Sequence, residues 1–101
     1  MSNFKIIAKK TLDDLFNIIE IDYSDFDVDY EDENLIIESI NYDKAFIISI
    51  HEPTSQIWLS SPLSGAHHFK QDSESVTNWV STRDKQINLY SLLKKELKSL
   101  S

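Results

Sequence analysis

The apolar residues of this chain change their spacing twice, and those two changes leave few folds open. Phe4, Ile7, Ala8, Leu12, Leu15 and Ile19 recur every three or four residues. That is one face of a helix, expected from Asn3 to Glu20. The period then drops to two, with Phe26, Val28 and Tyr30 interleaved among Asp25, Asp27, Asp29 and Glu31. A strand of this pattern turns its apolar residues to a core and its acids to water. Leu35–Ile40, Ala45–Ile50 and Gln56–Ser60 carry β-branched and aromatic residues suited to strands. Ala66–Lys70 and Val76–Ser81 are shorter strand segments. Glu33-Asn34, Asn41–Lys44, Glu52–Ser55 and Ser61–Gly65 have the composition of turns. Leu89, Leu92, Leu93, Leu97 and Leu100 restore the helical period, with Asn88 placed to cap that helix.

The order is therefore helix, about six strands, helix. Short connections between consecutive strands imply an antiparallel sheet. Two amphipathic helices must bury their stripes, and one face of the sheet is available to them. The expectation is an α+β two-layer sandwich, one domain over residues 1–101, with the other sheet face in water.

Charge is distributed unevenly. The net charge is −7, and residues 1–33 account for all of it, with ten acids against three bases. Eight carboxylates fall between Glu20 and Glu33. Such a chain suits a cation or a basic protein surface and disfavours direct contact with nucleic-acid phosphates. The first helix has Lys5, Lys9 and Lys10 early and Asp13, Asp14 and Glu20 late. That order opposes the helix macrodipole, so helix stability does not select it.

Several chemistries are excluded. There is no cysteine, hence no disulfide or thiolate metal site. A single glycine rules out a glycine-rich phosphate loop, and no serine sits in a nucleophile elbow. Asp25, Asp27 and Asp29 match the first ligand positions of an EF-hand. However, Tyr30 stands where the turn glycine is needed and Ile36 where the final glutamate is needed. No apolar run is long enough to span a bilayer, and no signal-peptide pattern opens the chain. The expected location is the cytoplasm, with no membrane partner.

The acids remain. Alternate strand positions are roughly 6.5–7 Å apart. A row of exposed carboxylates offers hard oxygen ligands without enclosure, which implies weak, multiple and unselective cation binding. Trp58 shares its strand face with Gln56 and Ser60, opposite Ile57 and Leu59. It is expected on the open side of the sheet, as a binding anchor or packed under a loop. His67 and His68 point to opposite faces, and His51 is expected to stand alone. All three read as ordinary surface histidines, and Trp79 reads as core.

The segment QIWLSSPLSG resembles the signature strand and loop of the frataxin family. TLDDL, DFDVDY, NWV and the final LYSLLKKEL follow in the family's order, so the resemblance spans nearly the whole chain. It is similar to the bacterial branch in length. The resemblance implies a helix–sheet–helix sandwich and weak binding of ferrous and ferric iron on an acidic ridge. It also implies a non-enzymatic accessory role in iron–sulfur cluster assembly, with a cysteine desulfurase and a scaffold protein as partners. The matching ridge positions are Asp13, Glu20, Asp22, Asp25, Asp27 and Asp29. The partner-binding positions are Gln56 and Trp58 on the sheet, with Asp25, Asp27 and Glu31 on the ridge. A monomer is expected without iron. The chain departs from the family's pattern at Asn17, His51, His68 and Lys70. Two other readings are an iron oxidase or storage protein that assembles on iron loading, and an acidic module that blocks a basic partner without metal.

Overall fold

A computed structural model describes residues 3–101. Helix α1 (Asn3–Asp22) is followed by six strands: β1 (Phe26–Glu31), β2 (Asn34–Ser39), β3 (Ala45–His51), β4 (Gln56–Ser61), β5 (Gly65–Gln71) and β6 (Trp79–Ser81). Helix α2 (Leu89–Ser99) closes the chain. The strands form one antiparallel sheet in chain order, so every neighbour in sequence is a neighbour in space. Both helices pack on one face, giving the expected two-layer α+β sandwich.

The predicted stripes meet in one core. Phe4, Ala8, Leu12, Leu15 and Ile19 of α1 and Leu89, Leu93 and Leu97 of α2 are buried. They face Leu35, Ile37, Phe46, Ile48, Ile57, Leu59 and Phe69 from the sheet. Trp79 is fully buried as expected, and its indole N–H donates to the Thr11 hydroxyl at 2.9 Å. The Trp79 ring meets Phe4 edge-on, with centroids 5.8 Å apart. Asn88 caps α2, its side chain accepting from the Ser91 N–H at 3.1 Å.

Several boundaries differ from the sequence expectation. Helix α1 runs two residues further, to Asp22. The β1–β2 turn is Asp32-Glu33, with Asp32 in the left-handed region at φ 54°, so Asn34 already pairs with Glu31. Aspartate tolerates that conformation because its short side chain can bond locally. Val76 and Thr77 do not join β6. The Asp72 N–H bonds to the Asn78 carbonyl and the Asn78 N–H to the Ser75 carbonyl, which closes residues 72–78 into a turn.

A buried carboxylate also escaped the sequence reading. Glu96 of α2 is only 8% exposed, and it accepts from the Ser61 hydroxyl at 2.5 Å. Ser61 Oγ in turn accepts from the N–H groups of Leu63 and Ser64. The loop after β4 is thereby organised by one serine and tied to α2. Among the described residues, no helix is long and apolar enough to cross a membrane.

Candidate functional site

The acidic edge is assembled by one reversal of the chain. Helix α1 ends where the Tyr23 N–H reaches the Ile19 carbonyl, and the Phe26 N–H then bonds to the Tyr23 carbonyl. This turn brings the last stretch of α1 beside the start of β1, the free edge of the sheet. Phe26 is buried, and Val28 and Tyr30 are partly buried against the core. The alternation then leaves Asp27, Asp29 and Glu31 exposed on the open face of the sheet.

Glu20, Asp27, Asp29 and Glu38 line one shallow hollow with Ser24. Glu38 joins because Asp27 stands directly across from it in the β1–β2 register. Sequence reasoning did not single out Glu38, since it sits inside the apolar run LIIESI; its position opposite Asp27 depends on a hairpin register. Asp13, Asp22 and Asp25 lie outside this hollow. Asp22 is exposed at the end of α1, and Asp25 is in the turn before β1, its carbonyl accepting from the Ile40 N–H. Asp13 is exposed on α1, near enough to Tyr30 to add to the rise in that phenol's pKa, whose main cause is burial. Glu31 is exposed at the end of β1, opposite Asn34.

Cations of α1 are used elsewhere. Lys5 pairs with Glu33 at 3.1 Å and Glu52 at 3.8 Å, and Lys10 pairs with Asp14 at 2.7 Å. Those carboxylates hold Lys5 and Lys10 above the ordinary lysine value, chiefly through the hydrogen bonds the two ammonium groups donate to Glu33 and Asp14. Among the described residues, no ion pair involves Glu20, Asp22, Asp25, Asp27, Asp29 or Glu31. Nor do three histidine, aspartate or glutamate side chains converge tightly enough to hold a metal ion. The donor set is hard oxygen, exposed and spread along a strand. It fits a cation that keeps much of its water, and it does not form a cage.

The open face also carries an aromatic stack, and here the expectation for the histidines is corrected. His51 does not stand alone. Its ring lies flat on Trp58, with centroids 3.7 Å apart and 15° between planes. His68 covers the other face of the indole at 4.3 Å and 12°. Register explains both contacts: Trp58 opposes Ser49 on β3 and His68 on β5, and His51 lies two residues beyond Ser49 on the same face. The Trp58 indole N–H donates to Gln56 Oε1 at 2.8 Å, and His51 Nδ1 lies 2.6 Å from the Thr54 hydroxyl. Trp58 is thus half-buried between two imidazoles, neither a free anchor nor packed under a loop. His67 points to the helix-side face as expected, with Nε2 2.7 Å from the Ser64 hydroxyl.

Similarity to known proteins agrees with this architecture. A frataxin from Psychromonas ingrahamii superposes with a TM-score of 0.85 at 23% identity, covering 98% of this chain and 89% of the other. Trimeric yeast frataxin from Saccharomyces cerevisiae, solved complexed with ferrous iron, gives a TM-score of 0.72 at 26% identity, covering 99% and 86%. Among curated sequences, mitochondrial frataxin of Arabidopsis thaliana is 33% identical over 103 residues, covering 96% of this chain and 53% of its own length. The mitochondrial frataxin homolog of Schizosaccharomyces pombe is 35% identical over 78 residues, covering 77% and 47%. The chain spans about half the length of these curated relatives. The frataxin-like domain family matches residues 1–101, and the chain belongs to that family.

Proposed function

We propose that this protein is an iron-binding accessory protein of iron–sulfur cluster assembly that acts through docking and has no catalytic step of its own. The observation that carries the reading is the set of carboxylates on the β1 edge and the end of α1, none of them in an ion pair among the described residues. Asp27 and Glu38 face each other directly across two strands, an arrangement that costs stability. In this reading their use is what they attract.

Iron is the cargo. Glu20, Asp27, Asp29 and Glu38 hold it weakly with water in the remaining positions, and Asp13, Asp22 and Asp25 extend the attractive field. The same field, with Glu31, steers the edge onto a basic surface of a cysteine desulfurase. Gln56 and Trp58, on the open face, contact the scaffold protein. The setting we propose is the cytoplasm, and the iron-free state a monomer.

The test is an anaerobic titration with Fe²⁺ followed by NMR. Broadening confined to the end of α1, β1 and Glu38 is expected, and the Asp27→Asn/Asp29→Asn variant should lose most of it. Uniform broadening, or the same affinity in the variant, would refute the reading. The ferrous complex of a trimeric relative supports a second reading, storage through iron-driven assembly. That reading requires oligomers and faster oxygen consumption when Fe²⁺ is added in air.

A further inference from the structure

The strongly acidic surface obscures a small cationic site at the opposite end of the sheet. Strand β6 has only three residues and pairs with Phe69–Gln71 alone, so the first half of β5 has no β6 strand beside it. The chain leaves β6 at Ser81 and turns back at Ile87, whose carbonyl accepts from the Ser81 N–H. A hollow remains beside β5, lined by Ser64, Ala66, His67, Ser81, Thr82 and Arg83 among others.

We infer that this hollow binds a small phosphate-class dianion, with the Arg83 guanidinium as its principal ligand, the Ser81, Thr82 and Ser64 hydroxyls as supporting donors, and His67 as the imidazole that holds Ser64 in place.

Arg83 is the chain's only arginine. Its guanidinium makes no ion pair or hydrogen bond among the described residues, although the protein carries a net charge of −7. The adjacent acid does not neutralise it: the Asp84 carboxylate is turned into its own loop, accepting from the Gln86 N–H at 2.9 Å. Glu96, the buried acid of α2, is engaged by Ser61. Ser81 is 93% removed from solvent, and its hydroxyl oxygen accepts from the Arg83 N–H, which leaves its own proton available to donate. That same bond sets the start of the loop carrying Arg83. His67 and Ser64 already meet at 2.7 Å, so the opposite wall of the hollow is ordered without a ligand. The Thr82 N–H reaches the His68 carbonyl; by the alternation of an antiparallel ladder, the Ala66 amide turns to that same side, beyond the end of β6.

This donor set selects its ligand. A planar guanidinium with several hydroxyls matches the tetrahedral oxygens of phosphate or a phosphate monoester. Lysine-only surfaces, such as the exposed face of α2, provide point charges without that geometry. The inference is independent of the proposed iron role, because none of these residues lies on the acidic edge.

The test uses the full chain, with ¹H–¹⁵N spectra recorded at constant chloride-set ionic strength. One arm adds inorganic phosphate and the other a nucleoside monophosphate. Saturable shifts centred on the amides of Ala66–His68 and Ser81–Arg83 are expected. Arg83→Gln should weaken binding about tenfold or more, the scale of losing one charge-assisted bidentate contact. His67→Gln should weaken it less. Saturation in both arms identifies the free dianion as sufficient, and saturation by the monophosphate alone identifies an ester ligand. Shifts that do not saturate, that spread over the lysine-bearing surfaces, or that persist equally in Arg83→Gln would overturn the site. Arg83 is exposed, so its replacement leaves the core untouched.

Discussion

Two hydroxyls do much of the specifying at the level of single residues. Thr11 is 4% exposed; its Oγ1 donates to the Ile7 carbonyl and accepts from the Trp79 indole. It joins the first helix to the last strand across 68 residues of sequence. Thr11→Val preserves shape but strands a buried N–H donor, which costs about 1–3 kcal/mol. Urea denaturation should register that loss, and an unchanged midpoint would show the bond contributes nothing. Ser61 plays the matching part at α2, where it satisfies Glu96 and gathers two amides of its own loop. Trp58 shows how a side chain's state depends on its neighbours. The period-two pattern places it on the open face, but its environment comes from His51 and His68, contributed by strands on either side.

Among the elements, β1 is where stability and proposed function conflict. Its core-facing residues, Phe26, Val28 and Tyr30, join the core, while Asp27, at the sheet edge, confronts Glu38. Like charges directly opposite on adjacent strands are destabilising, so Glu38→Gln should stabilise the fold by roughly 0.2–1 kcal/mol. A thermal melt at low salt reads that gain, and added salt should shrink it as screening takes over. A loss of stability in Glu38→Gln would mean that the facing carboxylates are not a cost. Helix α1 shows the same disregard for local preference: it has no acid in its first turn and no base in its last. Its hold on the sheet comes from the buried stripe and from Lys5, which spans Glu33 in the β1–β2 turn and Glu52 after β3. Helix α2, by contrast, has Lys98 in its last turn and a side-chain cap at its start.

Over the whole molecule, the perturbed titrating groups among the described residues all move the same way. Burial raises Tyr30 and Tyr90 above the ordinary 10.0, and the hydrogen bonds that Lys5 and Lys10 donate to Glu33 and Asp14 raise both lysines above 10.5. Each group holds its proton more tightly folded than unfolded. Their contribution is complete below the ordinary values and is lost as pH rises through the raised ones. Melting temperature should therefore hold up to about pH 10 and fall as pH rises further, and Tyr30→Phe with Tyr90→Phe should flatten that fall. An alkaline limb identical in the double variant would assign the loss to the lysines alone. The architecture was legible in the chain because hydrophobic period is a local property: a stripe at 3.6 or an alternation at 2 states which face an element must bury. The acids of the β1 edge were legible for the same reason. Glu38 joining Asp27, the two imidazoles enclosing Trp58, the Glu96–Ser61 bond and the hollow at Arg83 were not. Each pairs residues from different elements, and which residues meet depends on strand register and on how far β6 extends. Those are settled when turns such as Asp32-Glu33 adopt their conformations and the helices close over the sheet, a free-energy balance summed over the whole core and carried by no local stretch.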